Sequence, residues 1–103
     1  MDEPKVVETA LLRGTVEGNP LFPKNGSEVR CVFEMRLMLE ERPNVYITAN
    51  FRVVTGPELT EKCRQIVKRD ARVTVVGYAL SQDSKAIKFK AENVFTDGVA
   101  VDA

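Results

Sequence analysis

The chain has 103 residues, and its 44% hydrophobic and 29% charged content is ordinary for a soluble globular domain. This length predicts a single domain over residues 1–103, with a core from about residue 6 to residue 97 and short loose termini. Because 15 Lys plus Arg balance 15 Asp plus Glu, a function that depends on overall positive charge is excluded, and any attraction for phosphates must come from uneven placement of charge.

The first two predicted strands flank a segment rich in turn-forming residues. The first strand covers residues 6–16, and Gly14 within it indicates a coiled or bulged strand shared between two parts of a barrel. Residues 17–20 are expected to break this strand, and Asn25-Gly26 gives a turn signal. The second strand covers residues 28–39, and its alternating apolar side chains are expected to face the core: Val29, Cys31, Phe33, Met35, Leu37 and Leu39.

The middle of the chain is predicted as strand, helix and strand. After a polar hairpin loop at residues 40–44, the third strand runs to about Val54, with Ile47, Phe51 and Val53 on one face. Thr55 and Glu58 have the spacing of a capping box at a helix start. The apolar residues of the helix share one face: Leu59, Cys63, Ile66 and Val67.

The last two predicted strands follow the helix. The fourth runs from near Ala71 to Leu80, and Gly77 is expected to form a bulge or sharp bend in it. A short turn at residues 81–84 leads to the fifth strand, over residues 85–95. Its core-facing set is expected to be Ile87, Phe89, Ala91 and Phe95.

This order of elements predicts an all-β fold, a five-stranded OB-fold (oligonucleotide/oligosaccharide-binding) barrel with one short helix between strands three and four. A β-grasp fold or another α+β sheet is the alternative. No run of about 18 apolar residues predicts a membrane span, and the acidic N-terminus lacks the apolar segment of a signal peptide.

An ordered set of short motifs extends over about residues 8 to 97: Leu12-x-Gly14-x-Val16, Asn19-Pro20, Asn25-Gly26-x-x-Val29, Phe33, Phe51-Arg52-Val53-Val54 and Val73-x-Val75-x-Gly77. This set resembles the bacterial single-stranded DNA-binding protein (SSB) family and its relative, the primosomal protein PriB. In outline the chain is also similar to OB-fold domains of trypanosomatid mitochondrial RNA-editing complexes. Four features depart from the SSB pattern: the absence of tryptophan, the neutral charge, the short loops and the lack of a long flexible tail. A short chain without that tail is closer to PriB.

The resemblance implies a protein that binds single-stranded DNA or RNA in DNA replication, repair or restart, or in RNA processing. The protein would be a homodimer, a homotetramer or a hetero-oligomer with other OB-fold proteins. Its location would be the cytoplasm or nucleoid, or the mitochondrion in a eukaryote.

An OB-fold binds its ligand on the outer face of strands two and three and on the flanking loops. Cations there would pair with phosphates, and aromatic rings would stack on bases. The candidate nucleic-acid-binding residues are Phe22, Lys24, Arg30, Arg36, Tyr46, Asn50, Arg52, Tyr78, Lys85, Lys88 and Lys90. Alternatives stay open: Phe22 serves as a base platform or as a lid on the barrel, the tyrosines serve a subunit interface, and the cations are solvated or interface charges.

No catalytic site, metal site or cofactor is expected, because the chain has no histidine, no glycine-rich phosphate loop and no nucleophile elbow. Cys31 and Cys63 are predicted as buried free thiols, with a disulfide as the alternative. The leading hypothesis is therefore a single-stranded nucleic-acid-binding protein. The second is an OB-fold scaffold for protein assembly, with weak or no nucleic-acid binding, that pairs through exposed Val32, Met38, Tyr46 and Val54.

Overall fold

The computed structural model describes residues 9–82 and 87–96. Five long strands close into a barrel in the order β1 (Ala10–Leu21), β4 (Val32–Arg42), β5 (Val45–Thr55), β7 (Ile87–Thr96) and β6 (Arg72–Gln82). Neighbouring strands are antiparallel except for β5 and β7, which pair in parallel. A small hairpin of β2 (Lys24–Asn25) and β3 (Glu28–Val29) lies between β1 and β4 in the chain.

A short helical segment connects β5 to β6. A 3₁₀ turn (Pro57–Leu59) leads directly into helix α1 (Thr60–Ile66). A closed five-stranded barrel with its helix between the third and fourth long strands is an OB-fold, so the predicted fold class is confirmed. Among the residues that the structure describes, no helix has the length and apolar content needed to cross a bilayer.

The barrel interior is filled by apolar side chains that alternate along the strands. Phe33, Met35 and Leu37 of β4 are buried together with Cys31 just before it, as predicted; the side chain of Leu39 lies outside the described residues. Phe51 and Phe89 meet edge to face across the β5–β7 pair, with ring centroids 6.1 Å apart. Side chains of both the barrel and the helix therefore contribute to one core.

Strand β1 ends later than the sequence predicts, at Leu21 and not at Val16. It pairs with β6 through residues 10–15 and with β4 through residues 15–21, so the prediction of a shared first strand is confirmed. The expected break at residues 17–20 is wrong. The pairing with β4 becomes irregular after Glu17, Gly18 adopts a positive φ of 68°, and pairing resumes at Leu21. A bulge of this kind accommodates extra residues without ending a strand.

The helix begins differently from the prediction, although its apolar face is correct. Gly56 is the N-cap, and no side chain caps the helix, so the predicted capping box between Thr55 and Glu58 is wrong. Thr55 is fully buried, and its Oγ1 accepts a hydrogen bond from the Cys31 N–H at 3.1 Å. The hydroxyl oxygen thus joins β5 to the residue just before β4 and does not cap the helix. The buried helical face is as predicted: Leu59, Cys63 and Val67 are buried and Ile66 is half-buried.

Strand β7 contains a bulge opposite Gly77. Val76 pairs with Asn93 and Gly77 pairs with Ala91, so Glu92 has no partner in the ladder. The ladder is thus irregular at the predicted glycine, but the extra residue lies in β7 and not in β6, where the sequence placed the bulge. Because one extra residue reverses the alternation, Val94 is fully buried and Phe95 is 40% exposed. The predicted core position of Phe95 is therefore wrong.

Candidate nucleic-acid interface

The outer surface of β1, β4, β5 and β7, together with Tyr78 of the adjoining β6, carries side chains that lie in register from strand to strand. We call this surface the sheet face, and it has three rows. The first contains Thr15, Arg36 and Asn50; the second contains Glu17, Glu34, Arg52 and Lys88; the third contains Leu21, Val32, Val54, Lys90 and Tyr78. Since neighbouring strands are only about 4.8 Å apart, the rows form one continuous surface.

The charges of the sheet face are concentrated in its first two rows. Arg52 Nε lies 2.9 Å from Glu34 Oε2, and Arg36 Nη1 lies 3.3 Å from Glu17 Oε2. Each of the two arginine side chains is 54% exposed. With Lys88 and Lys90 the face has four cations against two carboxylates, an excess of two positive charges on a chain whose formal net charge is zero.

The third row is mainly apolar. Leu21 is 65% exposed, whereas Val32, Val54 and Tyr78 are half-buried. A shallow depression of about 250 Å³ lies between this row and the charged row, and its lining includes Leu21, Val32, Glu34 and Arg52. Apolar surface beside guanidinium groups suits a ligand that has planar apolar parts and anionic parts.

The hairpin of β4 and β5 extends away from the rest of the barrel, since beyond Arg36 and before Phe51 these strands pair only with each other. Tyr46 lies on the outer face near the hairpin end and is 55% exposed. Ile47, expected on the core-facing side, is 45% exposed because no other strand covers that part of the hairpin. Met38 is 72% exposed on the outer side.

No protein-family model matches the chain, and no curated protein matches it in sequence. Several solved structures match the chain in fold. A small single-stranded DNA-binding protein from Streptomyces coelicolor has a TM-score of 0.77 and 15% identity, covering 91% of this chain and 96% of that one. The Plasmodium falciparum SSB, in complex with single-stranded DNA, has a TM-score of 0.72 and 16% identity, covering 93% and 98%. The second SSB of Mycobacterium smegmatis has a TM-score of 0.66 and 16% identity, covering 89% and 90%.

The chain shares the fold of single-stranded DNA-binding proteins. The predicted SSB-like OB-fold is thereby confirmed at the level of fold. Nothing in these three structures supports the suggested likeness to trypanosomatid RNA-editing domains.

Phe22 occupies the end of the SSB-like barrel and is not part of the sheet face. It is half-buried against the core, and the Arg64 guanidinium carbon lies 4.7 Å from its ring centroid. The two residues line an open cleft of about 590 Å³ together with Asn19, Pro20, Val67, Lys68 and Arg69. Of the two alternatives for Phe22, this placement fits a lid. Sequence reasoning missed Arg64, because its partner is distant in the chain and no local spacing signals the contact.

Three other candidate residues do not join the rows. Lys24 is exposed in the β2–β3 hairpin. Arg30 is half-buried; its main-chain N–H donates to the Pro23 carbonyl at 3.2 Å, and its Nε is buried without a hydrogen-bond partner among the described residues. Lys85 lies outside the described residues. Contact of these three with nucleic acid stays a prediction.

The two cysteines are free and fully buried, as predicted. A hydrogen bond with the Cys63 thiol, together with burial, raises the pKa of the Cys31 thiol. Both thiols therefore belong to the core beneath the helix and not to the sheet face. Within residues 9–82 and 87–96 no group of three or more His, Cys, Asp or Glu side chains is placed to hold a metal ion.

Proposed function

We propose that this chain binds single-stranded nucleic acid on the sheet face. The observation that carries the proposal is the register of Arg36, Arg52 and Lys88 beside a mainly apolar row, on a molecule whose formal net charge is zero. The fold is shared with three single-stranded DNA-binding proteins, one of them solved in complex with single-stranded DNA. The register of the cations and the shared fold are two separate observations that support the proposal.

In the proposed mechanism the charged rows bind the phosphates of the nucleic acid and the apolar row binds its bases. Phosphates pair with Arg36, Arg52 and Lys88, because guanidinium and ammonium groups form charge-assisted hydrogen bonds with phosphate oxygens. Bases lie against the apolar row and stack on Tyr78 or Tyr46, at about 1–3 kcal/mol per stacked base. Such contacts do not separate DNA from RNA unless a side chain reads the 2′-hydroxyl, so both are proposed as ligands.

The direct test is a fluorescence-anisotropy titration with labelled oligo(dT) and oligo(U), at about 50 mM salt, where phosphate contacts are strong. Arg36→Gln/Arg52→Gln should weaken binding by about tenfold or more, since two phosphate contacts are lost. The matched control is Lys62→Gln/Lys68→Gln, which removes the same charge on and just after α1, outside the rows of the sheet face, and should bind nearly as the wild type. Absence of binding by the wild type at micromolar protein would overturn the proposal.

A second candidate function is an assembly scaffold. The observation that favours it is the projecting β4–β5 hairpin, whose tip exposes Met38, Tyr46 and Ile47 at 72%, 55% and 45%. Exposed apolar side chains on a projecting hairpin suit pairing with another OB-fold subunit, of the same or another chain. Light scattering decides between a homodimer, a homotetramer and a monomer. A monomeric mass at high concentration, with oligonucleotide binding intact, would exclude self-assembly through this hairpin.

The location proposed for this function is wherever single strands are exposed, namely the cytoplasm or nucleoid, or the mitochondrion in a eukaryote.

A further inference from the structure

We propose that the carboxylates of Glu34 and Glu17 compete with nucleic-acid phosphates for the arginines of the sheet face and thereby set its affinity for single strands. The inference rests on the proposed function and concerns the regulation of the same site. It assigns a role to two acidic residues that a surface for polyanions would not be expected to carry.

The first observation is the contact between Glu34 and Arg52. The two residues are direct partners in the β4–β5 register, and Glu34 Oε2 accepts a hydrogen bond from Arg52 Nε at 2.9 Å. A carboxylate and a phosphate offer the same kind of anionic oxygen to a guanidinium group. Glu34 therefore occupies a donor that a phosphate would otherwise use.

The second observation is that the other arginine of the face is held in the same way from a different strand. Arg36 Nη1 lies 3.3 Å from Glu17 Oε2, although the register partner of Glu17 is Glu34. The contact is diagonal, from Glu17 of β1 to the arginine two residues along β4 from Glu34. Two carboxylates from neighbouring strands each hold one arginine, which a purely solvated arrangement of surface charges does not require.

The lysines of the face differ from the arginines. Lys88 and Lys90 of β7 form no ion pair with a described residue. An approaching strand would therefore meet these ammonium groups first and exchange with the carboxylates at the arginines afterwards. Because exposed ion pairs are weak, the exchange is feasible, but each one lowers the observed affinity.

The expected effect of removing a carboxylate is tighter binding. Glu34→Gln should lower the Kd for oligo(dT) by about threefold to tenfold, since the Glu34 carboxylate no longer competes with phosphate for Arg52. Glu17→Gln should act in the same direction, and the double variant should show the larger effect. The midpoint of thermal unfolding should barely change, because these side chains are partly exposed.

Two controls separate this mechanism from a general change of charge. Glu61→Gln makes the same charge change on α1, where Glu61 is 84% exposed and pairs with Arg64 at 3.5 Å; its effect on Kd should be small. The second control repeats Glu34→Gln in an Arg52→Gln background. If Glu34 acts through Arg52, the gain in affinity should largely disappear there, as a double-mutant cycle would show.

The outcomes are distinct. If the wild type binds and Glu34→Gln binds no more tightly than Glu61→Gln, this inference is wrong while the proposed function stands. The same holds if the gain is undiminished in the Arg52→Gln background. If neither the wild type nor any variant binds oligo(dT) or oligo(U), the proposed function itself fails.

Discussion

At the scale of single residues, Gly77 is the residue of β6 that pairs with β7 next to the bulge at Glu92. A Cβ atom at this position would overlap the carbonyl oxygen of Lys90. We therefore expect Gly77→Ala to lower the free energy of unfolding by about 1–3 kcal/mol, as overpacking of a close contact does. Urea denaturation measures the change. The control is Gly26→Asn, at a turn position with a φ of 67° and open space around it; Asn tolerates this conformation, and equal losses in the two variants would contradict the explanation.

The Cys31 thiol gives a pH prediction at the same scale. Its pKa is raised in the folded state by the hydrogen bond with Cys63 and by burial. A group with a raised folded pKa stabilises the fold below its unfolded pKa, about 8.5 for cysteine, and this stabilisation is lost as the pH rises further. The same hydrogen bond lowers the pKa of the Cys63 thiol, which acts in the opposite direction, so the reference must lack both thiols. Between pH 8.5 and pH 10 the wild type should lose about 1 kcal/mol more unfolding free energy than Cys31→Ala/Cys63→Ala. Parallel pH dependence of the two proteins, measured in urea with reductant, would contradict the prediction.

The residues of the sheet face were predictable from the sequence only in part. Alternation along one strand places Arg36 or Arg52 on the outer face without knowledge of the fold. The partners of these arginines were not predictable, because Glu17 and Glu34 meet them through the register between strands, which the order of residues does not state. The sequence thus indicates which side chains are exposed but not which of them form ion pairs.

At the scale of elements, the bulge in β7 decides which of two neighbouring apolar residues belongs to the core. Val94 is fully buried, whereas Phe95 is 40% exposed with the Lys62 ammonium 4.3 Å from its ring centroid. We expect Val94→Ala to cost about 2 kcal/mol of unfolding free energy through the cavity it leaves. Phe95→Ala should cost about 1 kcal/mol, mainly the lost cation–π contact and partial burial. Chemical denaturation of both variants tests this order. A larger loss for Phe95→Ala than for Val94→Ala would contradict the bulged register and place Phe95 in the core.

Strand and helix periods predicted the elements well where one face is continuously buried, as in β4 and α1. They failed where the ladder is irregular. The bulge after Glu17 keeps β1 going through residues that otherwise indicate a turn, and the bulge at Glu92 reverses the faces of β7. The capping-box spacing of Thr55 failed because the hydroxyl has a partner in Cys31, distant in sequence. Each error comes from a tertiary contact that overrides a local signal.

At the scale of the whole molecule, the order of elements was enough to predict a closed barrel, since a lone helix between the third and fourth of five strands is typical of the OB-fold. The parallel β5–β7 pair that closes the barrel brings Lys88 beside Arg52, and no hairpin signal could have revealed it. The charge of the sheet face is therefore a property of the closed barrel.

This distribution of charge leads to a prediction about salt. A chain with a formal net charge of zero has little long-range attraction for a polyanion, so its binding should reflect only the local contacts of the sheet face. Four cations there give an upper limit of about 2.8 for the magnitude of the slope of log K against log salt, at about 0.7 per phosphate of a single strand. In the free protein the two arginines pair with Glu17 and Glu34, so their contribution to the slope should be smaller than that of the lysines. We therefore expect the wild-type slope to lie between about −1.4, for the two lysines alone, and −2.8, for all four cations. Titrations of oligo(dT) over a series of salt concentrations measure it. A slope near zero would mean that the strand is held without phosphate pairing, and one much steeper than −2.8 would mean that cations outside the sheet face take part.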